Sequence, residues 1–245
     1  MCFFGIHGNE LFIRNYNEFT EIYSELGGPV EKRTHDSSKE EIWVLLKFLE
    51  YKTLNKNLDY PIHIKKSEQP DFLISNSINS VFGLELTEST DPMYRAAWTL
   101  AENRGKGESP IDSYFKQGHL LKHKDLEKTL KSPNEPLRGM PWIGNEGLKK
   151  TKFDLKQIIA KKLKHYNENT YQDLKYIDLL IYYNGPSGIH TRDEHIKQNY
   201  KNIVSECIEE NKTNKVFNNI HLLWSRTMLP EDNSYPYLVL TWTRD

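Results

Sequence analysis

The chain has 245 residues and a formal net charge of −1, with 37% hydrophobic and 27% charged residues. That balance excludes a polycation that coats nucleic acid through overall charge, and the length suits one domain with an insertion. No run reaches the ~18 apolar residues of a membrane span, Met1–Ile6 lacks the features of a signal peptide, and Cys2 and Cys207 form no disulfide framework, so a cytoplasmic protein without membrane contact is expected. Residues 1–37 read as an N-terminal extension in which Phe19, Ile22, Tyr23 and Leu26 recur at helical spacing over Asn17–Leu26. Ser37 or Ser38 then caps a helix, with Glu40 or Glu41 at capping-box spacing. Over Glu41–Leu54, Ile42, Leu45, Leu46 and Leu49 form a stripe that Val44, Phe48 and Tyr51 widen, which predicts a largely buried helix.

Tyr60–Lys65 reads as an edge strand, because Pro61 cannot donate a ladder hydrogen bond. Phe72–Ser75 and Val81–Thr87 are short apolar runs bounded by turn residues, the pattern of buried strands. Residues 91–150 are more polar and more broken than their flanks and read as an insertion in the core. Helices are expected there at Pro92–Asn103 and Leu120–Leu130, with irregular chain over Ser132–Gly147. Lys152–Tyr166 follows as a helix in which Lys162 alone breaks the apolar face of Leu155, Ile158, Ile159, Leu163 and Tyr166. Tyr176–Tyr183 is a strand, and the helical crossover before it favours parallel pairing with Val81–Thr87 in a sheet covered on both faces. Arg192–Asn211 reads as a helix, and Val216–Trp224 and Tyr237–Trp242 as the last strands.

Two carboxylates stand out on the short strands, Asp71 at the start of one and Glu85 inside the next. Strand alternation puts Glu85 and Thr87 on one face and Leu84, Leu86 and Glu88 on the other. An ionised carboxylate in an apolar strand is costly without a cation or donor, and a hard divalent cation relieves two that face each other. The plainer reading has Asp71 capping a turn and Glu85 facing solvent. Seven lysines, Lys149, Lys150, Lys152, Lys156, Lys161, Lys162 and Lys164, form a local basic run that is either a solvated helix face or a phosphate-binding one. His119 and His123, four apart, lack a third ligand, and His190 and His195, five apart, do not match the zinc-protease spacing.

Helix, three strands, helix, strand, with Pro70-Asp71, then Glu85-Leu86-Thr87, then a lysine-bearing helix, resembles the PD-(D/E)xK nuclease superfamily. The resemblance spans Ser38–Glu88 and Lys152–Tyr183, with fourteen residues from Asp71 to Glu85. It implies an α/β restriction-endonuclease-like αβββαβ core, a mixed sheet flanked by helices, carrying the insertion as part of one domain. It further implies hydrolysis of phosphodiester bonds in nucleic acid, taken as DNA, with Mg²⁺ or Mn²⁺ held by Asp71, Glu85 and the Leu86 backbone carbonyl. Glu41 becomes either a further metal contact or a helix cap. The family's strand lysine falls on Thr87, so the lysine has to come from the following helix, as Lys162 or Lys161. Lys149, Lys150, Lys152 and Lys156 become the nucleic-acid contacts, and a homodimer or larger assembly is compatible with the family. The alternative is a non-catalytic nucleic-acid-binding or assembly module that keeps the nuclease fold.

Overall fold

The computed structural model describes residues 9–26, 37–55, 57–76, 81–89, 95–96, 146–169, 171, 174–183, 193–212, 214–225 and 237–244. Among these the chain is α/β, with a seven-stranded mixed sheet and four helices. The strands are β1 (Glu10–Ile13), β2 (Ile62–Lys66), β3 (Phe72–Asn76), β4 (Val81–Ser89), β5 (Ile177–Tyr183), β6 (Asn219–Ser225) and β7 (Tyr237–Thr243), and they lie in sequence order across the sheet. The helices are α1 (Tyr16–Leu26), α2 (Ser37–Leu54), α3 (Glu146–Glu168) and α4 (Asp193–Asn211). The expected helices at Pro92–Asn103 and Leu120–Leu130, and the His119/His123 pair, fall outside the described residues, except for the helical Arg95 and Ala96.

Three expectations need correction. Tyr60–Lys65 is not an edge strand, because β1 pairs antiparallel along β2 with Ile13 opposite Ile62 and Glu10 opposite Lys65. Four residues are too few to show a strand period in sequence. The third helix begins at Glu146 rather than Lys152, inside the stretch expected to be irregular. Strand β4 runs past Thr87 to Ser89.

The residues form two compact units, one of 1–87, 165–182 and 213–245, the other of 88–164 and 183–212. In the first, β1 to β4 form an antiparallel meander, and β6 pairs antiparallel with β7. Helix α1 starts at a capped turn: Glu18 N donates to Asn15 Oδ1 at 3.0 Å, and Glu18 Oε2 accepts from the amide of Arg14, one residue before the cap, at 2.6 Å. Helix α2 is buried without a break from Ile42 to Leu49, as a helix that is apolar nearly all round should be. It shares one core with Ile62, Ile64, Phe72, Ile74, Leu84 and Leu180 on one face of the sheet. Each such side chain stabilises by about 1.5–3 kcal/mol relative to exposure. The one charge in that run, Lys47, lies over the Tyr23 ring, 4.1 Å from its centroid, and contacts the Tyr23 hydroxyl, which donates to Glu50 Oε2 at 2.7 Å. Burial pushes the Lys47 ammonium below its ordinary pKa, against the opposing pull of Glu50.

A buried polar row crosses β5, β6 and β7 on the α2 side of the sheet, where the His221 ring lies 4.8 Å from that of Phe48. Asp178 Oδ1 accepts from Asn219 N at 3.0 Å and from Asn219 Nδ2 at 2.8 Å. Its Oδ2 lies 3.3 Å from His221 Nε2, and His221 Nδ1 lies 2.9 Å from Thr241 Oγ1. Burial of His221 is almost complete, and it depresses the imidazole pKa; the Lys52 charge adds to this and the bond to Asp178 opposes it.

In the second unit, α3 and α4 lie side by side. Lys152 pairs with Glu206 at 2.9 Å, Lys156 pairs with Glu206 at 3.0 Å and Glu210 at 2.6 Å, and the Cys207 thiol reaches the Lys156 carbonyl at 3.5 Å. Leu155, Ile159, Tyr200, Val204 and Cys207 are buried.

Candidate active site

The β3/β4 register pairs Phe72 with Leu84 and Leu73 with Gly83. Continued by one residue, it sets Asp71 opposite Glu85. Directly opposed residues of antiparallel strands share a face, so both carboxylates lie on the side of the sheet away from the α2 core. Glu85 is only 4% exposed, while Asp71 and Thr87 are half-buried. The Leu86 amide donates to Asp71 Oδ2 at 2.7 Å, which fixes the Asp71 carboxylate against the strand that carries Glu85.

Pro70 and Gly83 seat the pair. A Cβ built on Gly83 would lie 2.5 Å from Pro70 Cγ and 3.0 Å from Leu174 Cδ1, so only glycine lets the proline ring settle on β4 next to Glu85. The Gly83 amide donates to the Tyr176 carbonyl at 2.9 Å, so the chain entering β5 runs along this part of β4. Just upstream, Tyr171 is 8% exposed. Its ring packs edge-on against Tyr166 with centroids 4.8 Å apart, and Tyr166 stacks on Phe217 at 4.7 Å. Asn167 Nδ2 donates to the Lys215 carbonyl at 2.9 Å and Asn167 Oδ1 accepts from Lys215 N at 3.0 Å, a two-way clasp that ties the end of α3 to the chain before β6. Burial pushes the Tyr171 phenol well above its ordinary pKa, and the negative charges of Glu85 and Asp71 push it further. Among the described residues, the buried Tyr171 hydroxyl has no hydrogen-bond partner.

The other expected residues are placed as follows. Glu41 binds Lys66 Nζ at 2.9 Å. Lys66 shares the face of Ile62 and Ile64, which is the α2 side and the reverse of the side that bears Asp71 and Glu85. Lys161 is exposed and Lys162 half-buried, and both belong to the second unit. Lys149 is exposed, whereas Lys150 is buried and bonded to both Asp154 oxygens at 2.6 and 2.7 Å. Lys152 and Lys156 make the ion pairs to α4 given above. Three of the four lysines expected to contact nucleic acid are thus engaged by carboxylates of their own unit. Tyr171 carries no signal in the sequence, being a single aromatic in a polar stretch between a helix and a strand.

Among the described residues, no group of three or more His, Cys, Asp or Glu side chains could hold a metal ion. Two carboxylates with a backbone carbonyl still suit Mg²⁺, which keeps several waters and takes one or two protein carboxylates beside substrate phosphate. The opposed pair fits that donor set, since both side chains are hard oxygen ligands and one lies almost wholly out of water. No described helix is long and apolar enough to cross a membrane. Comparison of the chain with family models, curated proteins and solved structures returned no match.

Proposed function

We propose that this chain is a metal-dependent nuclease that hydrolyses phosphodiester bonds, with DNA as the substrate, and that it has a restriction-endonuclease-like core. This reading is carried by the β3/β4 register, which when continued by one residue opposes Asp71 and Glu85 on one sheet face, together with the Leu86 amide on Asp71. Like charges directly opposed across two strands are destabilising, and burial of one raises the cost. A shared divalent cation turns that cost into a binding site.

Asp71, Glu85 and the Leu86 carbonyl would hold Mg²⁺ or Mn²⁺. Such an ion polarises the scissile phosphate and lowers the pKa of a nucleophilic water. The protein's own part begins with orientation. The Leu86 N–H holds Asp71, and the low-dielectric setting of Glu85 strengthens its attraction for a cation. Thr87 offers a hydroxyl without charge, so the stabilising ammonium is assigned to Lys162, with Lys161 as the alternative. Its task is to offset negative charge that develops on the phosphate.

The test is cleavage of plasmid and oligonucleotide substrates with Mg²⁺ or Mn²⁺, read beside calorimetry of metal binding. Glu85→Ala should remove both cleavage and the heat of binding. Lys162→Ala should slow cleavage by roughly 10²-fold or more, and Lys161→Ala should mainly alter salt dependence. Full activity in Lys162→Ala would refute that assignment. The ion pairs that occupy Lys150, Lys152 and Lys156 favour a second reading, a non-catalytic nucleic-acid-binding or assembly module. Wild type that leaves both DNA and RNA intact would select it.

A further inference from the structure

We propose that the sheet face bearing Asp71 and Glu85 receives its substrate as a single strand, with an unpaired base stacked on Phe12 and a phosphate on Lys65. The proposal deepens the nuclease reading and rests on it for the chemistry at the two carboxylates, while the binding itself needs no metal. Leu11 and Ile13, Ile62 and Ile64, and Phe72 and Ile74 take the α2 side of the sheet, which sets Phe12, His63, Lys65 and Ser75 on the other. Strand register lays that face out in rows. In one, Phe12 lies opposite His63, His63 opposite Ser75, and Ser75 opposite Val81. In the next, Glu10 lies opposite Lys65 and Lys65 opposite Leu73, and the row after it is that of Asp71 and Glu85. Rows on one face are about 6.7 Å apart, so the Phe12 row lies about 13 Å from the two carboxylates.

Phe12 is 53% and Val81 43% exposed; among the described residues they are the large apolar side chains that the strands leave open, and the register puts both in one row. Exposed in this way, they add little to folding. The His63 ring stands beside Phe12, centroids 6.4 Å apart and planes tilted by 53°, and the Lys65 side chain is half exposed in the next row. An open aromatic ring with cations beside it is how proteins hold single strands: a base stacks on the ring and the cations follow the backbone. A duplex keeps its base faces stacked inside, so the Phe12 ring can take only an unpaired base. Glu10 belongs to the same patch, with Oε1 3.0 Å from Lys65 Nζ and Oε2 3.2 Å from His63 Nε2. Exposed ion pairs hold weakly, so a phosphate can take Lys65 from Glu10, and the Glu10 carboxylate competes with it for the ammonium.

The test is fluorescence anisotropy with a labelled oligothymidylate and a labelled duplex of equal length, in the presence of a chelator so that no strand is cut. Wild type should bind the single strand more tightly than the duplex. Phe12→Ala should weaken single-strand binding by about 5–150-fold, the loss of one stacked base, and Phe12→Tyr, which keeps the ring and controls for disturbance of β1, should retain it. Lys65→Ala should lower the slope of log affinity against log salt by about 0.7, and Glu10→Gln should tighten binding. Wild-type affinity in Phe12→Ala would overturn the proposal, and so would a duplex bound as tightly as the single strand. Cleavage with Mg²⁺ judges the nuclease reading separately. A wild type that cleaves, with single-strand binding indifferent to Phe12, would retire this surface and keep the nuclease. Binding that depends on Phe12 in a wild type that cleaves nothing would keep the surface and sink the nuclease reading.

Discussion

Removing the Asp178 carboxylate tests how the sheet tolerates a charge in its interior. Asp178 accepts from the Asn219 amide at 3.0 Å and the Asn219 side chain at 2.8 Å, and it faces His221 Nε2 at 3.3 Å. Asp178→Ala leaves these donors without their acceptor in a region where Asp178 is 5% and His221 1% exposed. An orphaned buried donor costs about 1–3 kcal/mol. Three of them, partly relieved by a shift of the His221 tautomer toward Thr241, should destabilise by about 3–5 kcal/mol. That is a large part of the ~5–15 kcal/mol that typically separates folded from unfolded chains. Asp178→Asn keeps one acceptor oxygen and should cost roughly half as much. The assay is urea unfolding followed by near-ultraviolet circular dichroism at neutral pH. A loss below about 1 kcal/mol for Asp178→Ala would refute the reasoning, since it would mean that the freed donors find other acceptors at once.

The same row predicts a pH dependence. Burial, with the Lys52 charge, holds the His221 imidazole below its ordinary pKa despite Asp178, so the folded state binds its proton less readily than the unfolded state. Stability from this group is complete above the unfolded pKa near 6.5 and is lost as pH falls through the lower folded value, by at most about 1.4 kcal/mol per pH unit. Urea midpoints between pH 7.5 and 5 should therefore fall more steeply in wild type than in His221→Gln, and equal slopes would contradict the assignment. At Gly83, alanine would set its Cβ 2.5 Å from the Pro70 ring. Gly83→Ala should cost about 1–3 kcal/mol by overpacking and, on the nuclease proposal, weaken Mg²⁺ binding by displacing Asp71; a neutral effect on thermal midpoint would show that Pro70 yields freely.

Local periodicity made part of this fold legible. The unbroken apolar run of α2 and the short strands β3 and β4 follow from patterns a few residues long, and so does the shared face of Glu85 and Thr87. Asp71 and Glu85 were visible because each is a carboxylate in an apolar context. What stayed hidden depends on partners far along the chain. Strand β1 is defined by its pairing with β2, about fifty residues later. Glu41 reads locally as a cap or a ligand, yet its partner is Lys66, 25 residues on. The lysine run looked like an open basic face because Glu206 and Glu210 stand 54 residues beyond the lysines they bind. The first turns of α3 lack an apolar period, and their buried residues are Lys150, bonded to Asp154, and Thr151, bonded to Tyr183 at 3.2 Å.

The sheet carries acid on both faces, and the two places differ in what surrounds their carboxylates. Asp178 is enclosed by its own fold: one oxygen takes two bonds from Asn219 and the other faces His221. Its carboxylate serves as an acceptor that ties β5 to β6, and a ligand there would have to displace those bonds. Asp71 and Glu85 are related differently. The β3/β4 register brings like charges to opposed positions, which is a cost that folding alone gives no reason to carry. Gly83 is needed to admit the Pro70 ring, and the Leu86 amide contributes a neutral donor to Asp71. An arrangement that brings two carboxylates together and orients one of them with a backbone donor suits a hard divalent cation better than it suits packing. The Asp178 row accordingly serves stability, and the nuclease proposal rests on the Asp71–Glu85 face.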